Sequence, residues 1–137
     1  MYETFEHTAD LGLRIRAENL NSLFAEAGRA LFSVIVENPQ EICATEEIPF
    51  TIKGNEAEEL LHDWLTELLF TFHVHRRLLV KFDVNIQSTG LTAIARGEKI
   101  DLKRHEINLE IKAITWHGLK IVQCPDGWMA EVIVDIQ

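Results

Sequence analysis

A chain of 137 residues with 22 acidic against 13 basic side chains, net charge −9, is long enough to bury a core but lacks the concentrated basic surface that independent nucleic-acid binding needs. An apolar share of 47% beside 26% charged residues is that of a soluble globular protein, expected as a single domain over 1–137, with no run near the roughly 18–20 apolar residues that span a bilayer. The first residues lack the layout of a secretion signal, so a cytoplasmic protein without membrane association is expected, and a basic protein partner or a metal cation suits its charge.

After His7, Thr8, Ala9 and Asp10, the residues Leu11, Leu13, Ile15 and Ala17 alternate with Gly12, Arg14 and Arg16, the period-two pattern of a half-buried strand. Asn21 is the expected cap of a first helix, whose Leu23, Phe24, Ala27, Ala30, Leu31, Val34 and Ile35 recur at three- and four-residue spacing until Pro39 ends it. Ile48, Phe50 and Ile52 mark a short strand in which Pro49 suits a sheet edge. Asn55 with Glu58 reads as a capping box opening a second helix of about 20 residues, with acidic residues in its first turn. Leu60, Leu61, Trp64, Leu65, Leu68, Leu69 and Phe72 form its apolar face.

Beyond residue 78 the period is two. Strands are predicted over 80–86, 91–95, 107–113, 119–121 and 130–136, with turns at Ser88, Thr89, Gly90 and at Pro125, Asp126, Gly127, and a charged connection over 98–106. The sum is an α+β fold: a largely antiparallel sheet of about seven strands with two helices packed on one side. Cys43 and Cys124 lie far apart outside any CxxC pattern and are expected as free, semi-buried thiols.

Asp135 interrupts an apolar closing strand, where a carboxylate is expensive unless paired or metal-bound. An antiparallel pairing of the closing strand with the first would bring Asp135 to Asp10, and two carboxylates with backbone carbonyls make a hard-oxygen site for Ca²⁺ or Mg²⁺. Two solvated strand ends fit the same pattern. His7 and His117 are candidate ligands or acid–base groups, and Lys112 reads as a solvated cross-strand residue. His73 and His75, two apart on a helix, cannot converge, and His62 reads as surface. The chain has no Walker-type loop, GxGxxG, HExxH, paired CxxC or GxSxG, so no familiar phosphate cradle or nucleophile is offered.

The motif His7, Thr8, Ala9, Asp10, the helix motif Leu60, Leu61, Trp64, Leu65, the run Ile111, Lys112, Ala113, Thr115, His117 and the terminal Asp135, Ile136 together resemble the archease family, in order along the whole chain. Trp116 stands where that pattern has an aromatic, often tyrosine. The resemblance implies a fold related to the SHS2 modules and an accessory protein of the RtcB-type tRNA-splicing ligase, which joins 3′-phosphate or 2′,3′-cyclic-phosphate RNA ends to 5′-hydroxyls. Such a protein promotes guanylylation and multiple turnover of the ligase, is not itself an enzyme, and meets RNA only through it. The resemblance places a divalent cation, Ca²⁺ first and Mg²⁺ or Mn²⁺ as alternatives, on Asp10, Asp135 and the Ile136 carbonyl, and matches His7, Lys112 and His117 to further motif positions. The competing readings are a stand-alone metal-dependent phosphoesterase using His7, Asp10, His117 and Asp135, and a binding module without metal.

Overall fold

The computed structural model describes residues 1–7 and 10–136, with only the backbone of His7. Their order is β1 (Tyr2–His7), β2 (Asp10–Ala17), α1 (Leu20–Ile35), a 3₁₀ turn (Pro39–Glu41), β3 (Glu46–Lys53), α2 (Ala57–His75), β4 (Arg77–Gln87), β5 (Gly90–Lys99), β6 (Ile111–Ile114), β7 (Lys120–Cys124) and β8 (Gly127–Ile136). Every strand pairing among them is antiparallel, as short connections require.

The α+β class and its two helices stand, while the strands divide into two sheets. One has five strands, ordered β1-β2-β8-β6 with β7 also on β8, and the other runs β3-β5-β4. The long β8 makes this branching possible: its first half pairs with β7 and its end with β6. Both helices touch both sheets, which explains α1. Ten of its 16 residues are buried, including Ala25, Gly28 and Phe32 outside the predicted stripe. A helix apolar around most of its circumference is covered on both sides. A Cβ on Gly28 would lie 2.9 Å from the Phe82 ring, so the glycine sets how closely α1 approaches β4. Trp64 sits at the centre of the core, donating from Nε1 to the Phe24 carbonyl at 2.9 Å and meeting Phe50 and Phe82 edge-on.

Four local expectations shift. Asn19, not Asn21, caps α1, accepting from Ser22 N–H at 2.8 Å, while Asn21 Oδ1 accepts from Ile86 N–H on β4. Helix α2 begins after Glu56 without a side-chain cap, so Asn55 does not form the capping box, although Glu58 and Glu59 occupy the first turn. The predicted strand over 107–113 becomes a loop until Ile111, because Ile107 and Asn108 bond instead to Val36 and Ile35 at the end of α1. Finally, β1 carries no alternating apolar pattern, only Phe5 in it being partly covered, so periodicity did not reveal it. Among the described residues no helix is long and apolar enough to cross a membrane.

Candidate metal centre at the end of the five-stranded sheet

The alternation that buries Leu13 and Ile15 on β2, and Val132 and Val134 on β8, turns Asp10 and Asp135 to the other, outer face of the sheet. The register then sets Asp10 directly opposite Asp135. The row continues to the His7 backbone on β1 and to Ala113 on β6. Residues directly opposite in an antiparallel pair hold their Cβ atoms roughly 4.5–5.5 Å apart, and like charges so placed repel. Both aspartates are partly buried, which weakens solvent screening of that repulsion.

Beside them β6 is bulged. Its register against β8 shifts between Ile111 and Ala113, and its burial runs buried, exposed, exposed, buried. Ile111 and Ile114 therefore both face the core, while Lys112 and Ala113 both face out beside Asp135. Two histidines three turns apart on α2 hold this shape from the other edge. His73 Nε2–H donates to the Ile111 carbonyl at 2.8 Å and His62 Nε2–H to the Ile114 carbonyl at 3.1 Å. The loop that follows is fixed as well, because Thr115 donates from both N–H and Oγ1 to the Ile133 carbonyl, at 3.0 and 2.9 Å.

Two other polar constellations have different chemistry. Across the same outer face, Arg14 bridges Glu3 at 3.0 Å and Glu131 at 2.6 Å, and Lys120 reaches Glu131 at 3.4 Å. Arg14's hydrogen bond is the main cause that holds the Glu131 carboxyl below its ordinary range, against partial burial. Between this row and the aspartates the Phe5 ring lies over Gly12, where a Cβ would come within 2.2 Å of it. On β5 of the three-stranded sheet Glu98 accepts from Cys43 N–H at 2.6 Å, from His105 Nε2–H at 3.0 Å and from Arg104. His105 is buried, and Asp101 N–H donates to its Nδ1 at 2.9 Å, which places its ring proton on Nε2. Burial pushes the Glu98 carboxyl up, but the three donors outweigh it and bring it down to about 2.

Residues 2–136 match the Archease protein family (MTH1598/TM1083). The chain belongs to that family. It is 39% identical to protein archease of Pyrococcus abyssi, with 98% of each chain covered, and 34% identical to that of Methanopyrus kandleri, covering 98% of this chain and 99% of that one. A solution structure of protein 1598 of Methanobacterium thermoautotrophicum superposes with a TM-score of 0.84 at 34% identity, covering 98% of this chain and 97% of that one. A Thermotoga maritima archease, described as a possible chaperone, has the same fold with a TM-score of 0.69 at 24% identity, over 98% and 97% of the two chains.

In this archease fold the structure brings Asp10, Asp135 and Lys112 to one outer edge, with Ile136 next to Asp135 and paired to Ile111. His117 lies on the exposed loop after β6. Thr8, Ala9 and the His7 side chain lie outside the described residues. Among the described residues no group of three or more His, Cys, Asp or Glu side chains is placed so that it could hold a metal ion. A cation here would rely on two carboxylates and backbone oxygen, the donor set that suits a hard ion.

Three histidines are corrected or added. His62, expected on the surface, is partly buried, with a side chain 16% exposed that stacks on Trp116. His73 is a strand-edge donor, and the buried His105 was not singled out from the sequence. His105 sits in a charged stretch without periodicity, which left no signal for it in the sequence. Cys43 is exposed rather than semi-buried, and Cys124 is intermediate; both are free.

Proposed function

We propose that this archease is the activator of an RtcB-type RNA ligase that seals 3′-phosphate ends in tRNA splicing, promoting guanylylation of the ligase and its multiple turnover. Asp10 and Asp135, with the Ile136 carbonyl, hold a divalent cation, Ca²⁺ first. The observation that carries this reading is the register that places Asp10 opposite Asp135 on the outer face of the sheet. Like charges directly opposite one another repel, and a divalent cation shared by both carboxylates offsets that repulsion. A cation held there offsets the charge that develops when a nucleotide is transferred to the ligase. The net charge of −9 suits a basic RNA-handling partner. His7 and His117, matched to further positions of the family's motifs, are the other residues proposed to act toward the ligase.

The test is ligase guanylylation followed over many turnovers with the native chain, Asp10→Asn and Asp135→Asn. Both variants are expected to fold and to lose most of the stimulation. Full stimulation by both ends the proposal. Calorimetric titration with Ca²⁺, Mg²⁺ and Mn²⁺ then ranks the cations, with a signal that Asp135→Asn removes.

A further inference from the structure

Trp116 is 55% exposed although it is an indole, and one of its faces is already used. The His62 imidazole lies parallel to it, ring centroids 3.9 Å apart and planes at 13°. His62 is itself fixed by the Ile114 carbonyl and by Asp63 Oδ1 at 3.2 Å from its Nδ1. Below the ring, Thr115 is clamped twice to Ile133, and Leu119 N–H donates to the Trp116 carbonyl at 3.3 Å. A flat aromatic surface is thus held rigid in water with one face filled, at little further entropic cost to a ligand on the other.

The run of chain that carries Trp116 differs in charge from the whole, although Asp63 lies against His62 beneath it. Residues 111–125 contain no Asp or Glu, in a protein with 22 of them, and carry Lys112, His117 and Lys120. Lys120 is partly engaged by Glu131. Lys112 is exposed and makes no ion pair among the described residues. An exposed aromatic platform in a run of chain whose only charged side chains are cationic has the chemistry to take a nucleobase by stacking and its phosphate by charge.

We propose that the open face of Trp116, backed by His62, binds the base of a phosphate-bearing nucleotide, with the exposed Lys112 four residues earlier in the chain available to its phosphate. The ligand is either a free purine nucleotide or the end of a single RNA strand; both present the same planar base and anion. This binding belongs to the isolated chain and does not depend on ligase activation, so either proposal can fail alone.

The experiment titrates the full chain, without ligase or added metal, with GMP, with a short 3′-phosphorylated single-stranded RNA and with inorganic phosphate. The readouts are the Trp116 indole N–H and His62 ring signals by NMR. The chain has three tryptophans, Trp64 fully buried and Trp128 partly buried, and the indole signal that disappears in Trp116→Tyr is that of Trp116. Saturable shifts at both rings with GMP or the RNA are expected, weakened at least about tenfold by Trp116→Ala and kept within about threefold by Trp116→Tyr. Lys112→Ala should weaken binding and flatten its dependence on salt between about 50 and about 200 mM. A response to GMP as strong as that to the RNA assigns a mononucleotide; a response to the RNA alone assigns a strand end. Binding unchanged by Trp116→Ala, no saturable shift with either ligand, or phosphate acting as well as GMP would each overturn the proposal. Circular dichroism and melting of the variants establish that each remains folded, and Trp116→Tyr keeps the test sound if Trp116→Ala does not.

Discussion

Two rows on the outer face of the five-stranded sheet cross β1, β2 and β8 and follow opposite electrostatic rules. In one, Glu3, Arg14, Glu131 and Lys120 alternate in sign, each charge beside its opposite. In the other, Asp10 and Asp135 stand abreast with the same sign. The first arrangement is what sheet stability favours, and the second is what it disfavours. The two rows share strands, face and solvent, and the divalent cation proposed for the second row would account for the difference between them.

The largest test of that contrast is cation-linked stability. At a free Ca²⁺ concentration about 100 times the dissociation constant, a ligand that binds only the folded chain stabilises it by about 2.7 kcal/mol. The native protein should therefore melt several degrees higher with Ca²⁺ than with a chelator, and Asp10→Asn and Asp135→Asn should not respond. A native melting temperature indifferent to Ca²⁺, Mg²⁺ and Mn²⁺ would erase the distinction between the rows.

Glu98 sharpens the contrast from outside the sheet, as a carboxylate surrounded only by donors. Glu98→Gln weakens three bonds and presents the buried His105 with a poorer acceptor, for an expected loss of about 2 kcal/mol. Because the folded carboxyl titrates at about 2, below its ordinary 4.5, its contribution is complete above pH 4.5 and is lost as the pH falls from there toward 2. Urea melts across that range should show an acid limb in the native protein that the variant flattens. Melts of the two proteins that run parallel over the same range would assign the acid limb to other groups.

Much of this was legible in the sequence, for identifiable reasons. Period-two alternation placed β2 and β8, and an antiparallel pairing of their ends brought Asp10 to Asp135 without any knowledge of the intervening chain. What stayed hidden depends on contacts that leave no periodic trace. An edge strand covered only at Phe5, the bulge that turns Lys112 outward, and the His62–Trp116 stack arise where separate elements meet. The division into two sheets was hidden for the same reason: α1 shows an apolar stripe to a period analysis, and only its small residues Ala25 and Gly28 signal that a second layer covers its back.

Gly12 lies between the two rows and lets the Phe5 ring cross β2. Gly12→Ala forces that ring aside and is expected to destabilise by about 1.5 kcal/mol, since overpacking a settled contact costs about 1–3 kcal/mol. Chemical denaturation reads the loss. It should affect both rows, lowering Ca²⁺ affinity as well as stability, whereas a fall in stability alone would mean that the ring serves only the ion-paired row.

The smallest effect is the most discriminating, because it is a difference of sign. Without divalent cation, Asp135→Asn removes a repulsion and should raise stability by about 0.5 kcal/mol. Arg14→Ala, two rows away, removes the charge that holds Glu3 and Glu131 and should lower it. Deleting one charge thus stabilises one row and destabilises the other, in the same buffer. Added salt should shrink the gain in the first row by screening the exposed part of the repulsion. If Asp135→Asn lowers the cation-free melting temperature as Arg14→Ala does, the aspartates are already neutralised within the chain, and Lys112 on the bulge is the candidate to test. The double variant Lys112→Ala with Asp135→Asn then decides: a gain restored in that background assigns the neutralising charge to Lys112.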